Sequence, residues 1–93
     1  MPVGRTFLVE RYLPQLQTAD LELLAGRLAA ASAQLRAEGR EIRWLRSLAI
    51  LDDETCLCTF SAQTRADVEE ANRRAEATYE RITETLALEN AHD

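Results

Sequence analysis

Between Asp20 and Gly39 the apolar residues Leu21, Leu24, Leu28, Ala31 and Leu35 recur at steps of three and four, and on either side the spacing falls to two. Steps of three and four collect side chains on one face of an α-helix, whereas alternation collects them on one face of a strand. A chain that changes period in this way has to alternate strands with helices. Before the helix, "TFLVERYL" from Thr6 to Leu13 places Phe7, Val9, Arg11 and Leu13 on one face and Leu8, Glu10 and Tyr12 on the other. Pro14, which cannot donate to a ladder, ends this first strand. The helix is predicted to start at Thr18 as N-cap, with Asp20 and Glu22 near the positive end of its dipole, and to stop at a left-handed Gly39.

After the helix the alternating pattern returns. Ile42 to Leu51 reads as a second strand and "TCLCTFS", Thr55 to Ser61, as a third, with "DDE" between them short enough for a hairpin. "TRAD" from Thr64 matches a capping box that opens a second helix, whose stripe is Val68, Ala71, Ala75 and Tyr79. "RITETLAL", Arg81 to Leu88, alternates again and reads as a fourth strand, with "ENAHD" as a frayed tail. Residues 1–88 are thus expected to form a single domain and residues 89–93 its C-terminal tail.

Strand, helix, strand, strand, helix, strand is the order of the ferredoxin-like α+β fold, βαββαβ, a four-stranded antiparallel sheet with both helices on one face. That arrangement leaves a face without cover. Both faces of the first two strands carry large apolar or aromatic groups, Leu8 and Tyr12 opposing Phe7, Val9 and Leu13, and Trp44, Leu48 and Ile50 opposing Leu45, Ala49 and Leu51. A small monomer seldom exposes so broad an apolar patch. The remedy expected here is a twofold homodimer packed sheet against sheet, of the dimeric α+β barrel type, with a ligand pocket beside the sheet.

Composition narrows the function classes. At 93 residues, 46% apolar and 29% charged, the chain suits one globular domain with a modest core. No stretch approaches the ~20 apolar residues of a membrane span, and the N-terminus has no long apolar signal segment, so a cytoplasmic protein without a membrane partner is expected. A net charge of −5 with interspersed signs provides no basic stripe for nucleic acid. Nucleotide-binding glycine loops, a nucleophile elbow and a histidine-rich metal motif are all missing from the sequence, so no cofactor is expected.

The candidate site residues cluster on the strands and the second helix. Trp44 and Arg46, two apart, are expected on one face, where a guanidinium beside an indole can hold a carboxylate or enolate-like anion. The plainer reading is an ion pair of Arg46 with Glu10 or Glu84 beneath Trp44. Glu10 and Arg11 lie near the end of the first strand, where a pocket would open, and Glu10 in apolar surroundings can act as a general base. Asn72 can aim an amide into the cavity, and Tyr79 reads first as a packing anchor. Cys56 and Cys58 share a strand face and read first as small buried hydrophobes, with a redox or metal role second.

"FLVERYLP", "IRWLRSLAILDDETCLCTFSA" and "VEEANRRAEATYERITE" resemble a family of small bacterial, largely actinobacterial, domains of unknown function that includes a nickel-binding protein. The resemblance spans nearly the whole chain. It implies a ferredoxin-like βαββαβ fold and a homodimer. The family's nickel-binding member relies on histidines, whereas the single histidine here, His92, lies in the tail. No metal ligand is carried over.

Four functions are compatible with these features. The first is a dimeric domain that binds a small apolar or anionic molecule through Trp44, Arg11, Asn72, Tyr79 and Cys58. The second is a cofactor-independent isomerase, cyclase or monooxygenase with Glu10 as base and Arg46 as anion stabiliser. A nickel-binding protein is the third, and a protein-interaction module using edge strands two and four ranks below ligand binding. The sequence displays sheet faces and a cavity more clearly than a catalytic unit, which favours the first.

Overall fold

A computed structural model of the chain describes residues 5–86 and residue 88. The elements are β1 (Arg5–Tyr12), α1 (Thr18–Ala37), β2 (Ile42–Ile50), β3 (Thr55–Ala62), α2 (Arg65–Arg74) and β4 (Arg81–Thr85). The strands form one antiparallel sheet in the order β2-β3-β1-β4, which is the ferredoxin-like topology, with β2 and β4 at its edges. Both helices lie against the same face.

Local chemistry sets the element ends. α1 begins one residue earlier than Thr18 predicts: Gln17 is the N-cap, and its backbone N–H donates to the Asp20 carboxylate at 3.2 Å. At its other end Gly39 adopts φ +94, and Gly39 N–H and Arg40 N–H close onto the carbonyls of Arg36 and Leu35 in a Schellman turn. α2 starts where "TRAD" predicts, with Thr64 accepting from Asp67 N–H. It stops at Arg74, earlier than the apolar stripe suggested. A second Schellman turn forms there, with Glu76 in the left-handed position at φ 55 and Ala77 N–H donating to the Asn72 carbonyl. Tyr79 consequently lies off the helix and is 37% exposed, a correction to its reading as a packing anchor.

β4 also ends earlier than expected, at Thr85, and Leu86 and Leu88 are exposed. The predicted tail, residues 89–93, lies outside the described residues. No helix among the described residues is long and apolar enough to cross a membrane.

The core fills the layer between helices and sheet. Leu24, Leu28, Ala31 and Leu35 of α1 and Val68 and Ala71 of α2 meet Phe7, Val9, Ile42, Cys56, Cys58, Phe60 and Ile82. This is the helical stripe read from the sequence, met by one alternation from each strand. An ion-pair chain joins the helices outside the core, with Arg74 held between Glu38, the C-cap of α1, and Glu70 of α2 at 2.7 Å to each. Such exposed pairs contribute little individually.

β2 departs from simple alternation. Trp44 pairs with Phe60 and Arg46 with Thr59, so Leu45 is an extra residue, a β-bulge. Ile42 and Trp44 face the helices, and beyond the bulge so do Ser47 and Ala49. Arg46 therefore shares the open face with Arg43, Leu48 and Ile50, which corrects the expectation that Trp44 and Arg46 lie together and that Trp44 joins Leu48 and Ile50. The inserted residue reverses the phase.

The open face still carries an apolar tract. Leu48, Leu57 and Leu8 lie on three neighbouring strands, and Leu48, Ile50 and Tyr12 are 50%, 40% and 54% exposed.

Leu28→Ala removes a fully buried side chain and should cost about 2–5 kcal/mol in urea denaturation. Gly26→Ala should move stability the other way, by up to about 1 kcal/mol, because an added Cβ meets nothing within 4 Å on an established helix.

Candidate functional site

Alternation along β1 directs the Arg11 side chain into the layer between sheet and helices, where it is 1% exposed. A buried guanidinium needs acceptors. One terminal nitrogen donates to the Asn72 Oδ1 at 2.7 Å and the other to the Thr78 carbonyl at 2.9 Å. Asn72, itself fully buried on α2, is oriented by donating its Nδ2–H to the Val68 carbonyl at 2.8 Å. The Schellman turn at Glu76 brings the Thr78 carbonyl round to the guanidinium. Arg11 Nε has no partner, and Arg11 forms no ion pair with a carboxylate among the described residues.

The cysteines stand next to this cation. Arg11 pairs with Cys56 across the β1–β3 ladder and Val9 with Cys58. The two sulfurs, both wholly buried, are 3.7 Å apart. Trp44 Nε1 donates to Ser47 Oγ at 3.0 Å, and Ser47 Oγ donates to Cys58 Sγ at 2.9 Å. The bulge at Leu45 makes this possible, since it puts Trp44 and Ser47, three residues apart, on the same face. Ser47 was not foreseen as a site residue, because simple alternation from Trp44 puts it on the opposite face.

These neighbours separate the thiols electrostatically. The Cys56 thiol donates to Cys58, and against the cost of burial the Arg11 charge and the Ser47 hydroxyl also favour the thiolate, lowering Cys58 to about 6. Cys56 is raised, first because its proton is held in the bond to Cys58 and then by burial and the negative charge of Cys58. The surroundings thus favour the thiolate at Cys58 over that at Cys56, with the Arg11 charge contributing.

Arg11 also reaches a cavity of about 230 Å³ at the end of β1. Leu13, Leu16, Leu23, Leu24 and Ala77 give it apolar walls, and Arg27, Asp20, Glu76 and Thr78 a polar rim. Arg27 Nε donates to the Ala75 carbonyl at 2.9 Å, and its other N–H groups have no acceptor among the described residues. A larger cavity of about 380 Å³ at the start of β2 is lined by Arg36, Arg40 and Arg43. Two of those arginines are already engaged, Arg36 by the Ile42 carbonyl and Arg40 by Asp67.

Four of the sequence candidates, Trp44, Cys58, Arg11 and Asn72, therefore meet in the same layer behind the sheet. Tyr79 stands apart beside Glu69, Glu70 and Arg73 on the outer side of α2. Glu10 and Arg46 lie on the open face with β3 between their strands, and in different rows: Glu10 aligns with Leu57 and Leu48, Arg46 with Thr59 and Leu8. Glu10 is paired with Arg81 at 2.7 Å and Glu84 with Arg5 at 3.0 Å, so the expected ion pair of either with Arg46 is not formed. The geometry does not assemble a base and an anion stabiliser from Glu10 and Arg46.

A thiol lowered in the folded state binds its proton less tightly there than in the unfolded chain. Between about pH 6 and the unfolded thiol's value of about 8.5, stability should rise with pH and fall as pH drops through the folded value. The difference in unfolding free energy between the wild type and Cys58→Ala, measured by urea denaturation across that range, should carry this slope. A thiolate absorbance step near pH 6 should vanish in the variant.

The nickel responsive protein SCO4226-like family model matches residues 7–85. No curated protein matches significantly. Among solved structures, the crystal structure of SCO4226 from Streptomyces coelicolor A3(2) superposes with a TM-score of 0.77 at 14% identity, covering 89% of this chain and 99% of that one. At this identity the likeness speaks for the fold alone. With the family model spanning all six elements, the chain belongs to the nickel responsive protein SCO4226-like family.

Proposed function

We propose that this protein is a homodimeric binding module that takes a small amphipathic anion, such as a carboxylate with an apolar tail, into the cavity between β1, the start of α1 and the turn after α2. The observation that carries the reading is the cavity itself: leucine walls surround a buried Arg11, and Arg27 stands at the rim with N–H groups that have no acceptor among the described residues. Both terminal nitrogens of Arg11 already donate, to Asn72 and the Thr78 carbonyl, so Arg27 supplies the positive charge for the ligand, and Arg11 with Thr78 shapes the polar floor. Apolar walls with a few convergent polar groups are the usual composition of a ligand site. The cavity, rather than Trp44 and Arg46 together, is where those groups converge.

The family's description raises nickel as a ligand. Nickel takes several nitrogen, oxygen or sulfur donors in defined geometry. Among the described residues no three His, Cys, Asp or Glu side chains converge on one point. The neighbourhood of Cys56 and Cys58 holds a cation, Arg11, in place of further donors. The donor set of the described residues does not fit nickel.

The dimer rests on the open sheet face. Leu8, Leu57, Leu48 and Ile50 form an apolar tract that a second copy, related by a twofold axis, would cover with the same residues.

Isothermal titration with benzoate and hexanoate should detect binding to the wild type. Leu23→Trp, at an exposed position on the cavity wall, should abolish it, and Arg27→Gln should weaken it roughly tenfold or more by removing a charge-assisted hydrogen bond. No binding to the wild type, or unchanged binding to both variants, would remove the reading. Light scattering should give a dimer for the wild type and a monomer for Leu48→Arg. A wild type that is monomeric at high micromolar concentration would show that the open face is not self-complementary.

A further inference from the structure

We propose that the cavity at the start of β2 is a second ligand site, which takes a phosphate monoester carried on a small organic group. Arg36, Arg40 and Arg43 line it against a single carboxylate, Glu41. In a chain of net charge −5 this concavity runs against the overall balance, and a concave wall of one sign concentrates ligands of the other. Its volume of about 380 Å³ falls within the range of roughly 300–1,000 Å³ usual for small-molecule pockets, which leaves room for more than a bare phosphate ion.

The turn that ends α1 brings the three arginines together. Gly39, at φ +94, redirects the chain from helix to strand, so Arg36 in the last helical turn, Arg40 in the turn itself and Arg43 on β2 border one concavity. Two of the guanidinium groups are held in position. Arg36 donates from one terminal nitrogen to the Ile42 carbonyl at 2.8 Å, and Arg40 from one to the Asp67 carboxylate at 2.9 Å. A guanidinium carries several N–H donors, so each of these bonds fixes a fork without exhausting it. Arg36 also answers the negative end of the α1 dipole, and Asp67 offsets the charge of Arg40. Arg43 has neither duty. Its side chain is exposed and makes no hydrogen bond or ion pair among the described residues, and it stands across the β2–β3 ladder from Ser61, whose hydroxyl is also without a partner there.

Charge and shape select the ligand. Arg36, Arg40 and Arg43 exceed Glu41 and Asp67 by one positive charge, and Arg46 adds another on the same face of β2 as Arg43. A phosphate monoester carries about −1.5 to −2 near pH 7 and presents terminal oxygens that guanidinium forks bind in pairs. A carboxylate brings less charge and fewer oxygens to the same forks. The row of the open face that holds Arg43 continues through Ser61, Thr6 and Thr85, all polar, whereas Leu48 and Leu57 lie further along the strands. The site thus lies beyond the apolar tract assigned to the dimer.

The test is isothermal titration with phenyl phosphate at low ionic strength, with amide chemical shifts followed by NMR. One phenyl phosphate per chain should bind saturably and move the Glu41, Arg43 and Ser61 signals. Arg43→Gln should keep the wild-type circular dichroism spectrum and weaken binding roughly tenfold or more. Arg43→Lys, which keeps the charge without the fork, should weaken it by a smaller factor, and Arg73→Gln, an exposed arginine on the outer side of α2, should leave it unchanged. Absence of saturable binding to the wild type, or a loss in Arg73→Gln as large as in Arg43→Gln, would overturn the inference, the latter because it marks attraction to arginines at large. Arg43→Gln should titrate with hexanoate as the wild type does, so this site and the cavity beside Arg11 stand or fall separately.

Discussion

A guanidinium sealed between a sheet and two helices is expensive unless everything around it is arranged to receive it. Arg11 sits in that position, and its partners come from distant parts of the chain: Asn72 of α2, the Thr78 carbonyl beyond the turn at Glu76, and the thiols of β3. Each has its own support. Asn72 is held by Val68, the carbonyl is delivered by a left-handed residue after α2, and Cys58 is fixed by Ser47. The cation therefore ties the end of β1 to α2, to the connection before β4, and through Cys58 to β2. No carboxylate of the described residues answers it, and its charge is one of the influences that favour the thiolate form of Cys58.

The second organising feature is one residue, Leu45. Were Leu45 an ordinary paired residue, β2 would alternate evenly, and Trp44 would share a face with Arg46, Leu48 and Ile50. With it, the first half of β2 packs Ile42 and Trp44 against the helices, while the second half presents Ser47 and Ala49 to the core and leaves Arg46, Leu48 and Ile50 outside. The same insertion brings Trp44 over Ser47 and so completes the polar chain to Cys58. It also separates the two functions a sheet of this size can serve, a polar interior behind the sheet and an apolar open face in front of it.

Much of the fold was legible in the chain because it rests on periodicity, which is a local property. The α1 stripe, the stops at Gly39 and the start at Thr64, and the order of six elements all follow from residues close in sequence. The ends that were misread have local causes that periodicity does not register: α2 closes on a Schellman turn led by Glu76, a residue without glycine's freedom, and β4 stops at Thr85 although the alternation of apolar residues continues through Leu86 and Leu88. The candidate site was legible in part. Arg11, Asn72, Cys58 and Trp44 could be singled out as unusual residue types in apolar contexts. Glu10 and Arg46 could equally be singled out, and nothing in the sequence shows that Arg81 rather than Arg46 would lie beside Glu10.

The sequence by itself determined the class of fold, the buried stripe, and the fact that two helices leave one sheet face uncovered, because hydrophobic period and chain order decide these before any long-range contact forms. Only the tertiary structure decided which side each special residue of β2 takes, that the cavity lies beside Arg11, and that the two cysteines have a cation rather than further ligands for neighbour. Strand register and a single-residue bulge set those outcomes, and both are fixed by pairing between strands far apart in the chain.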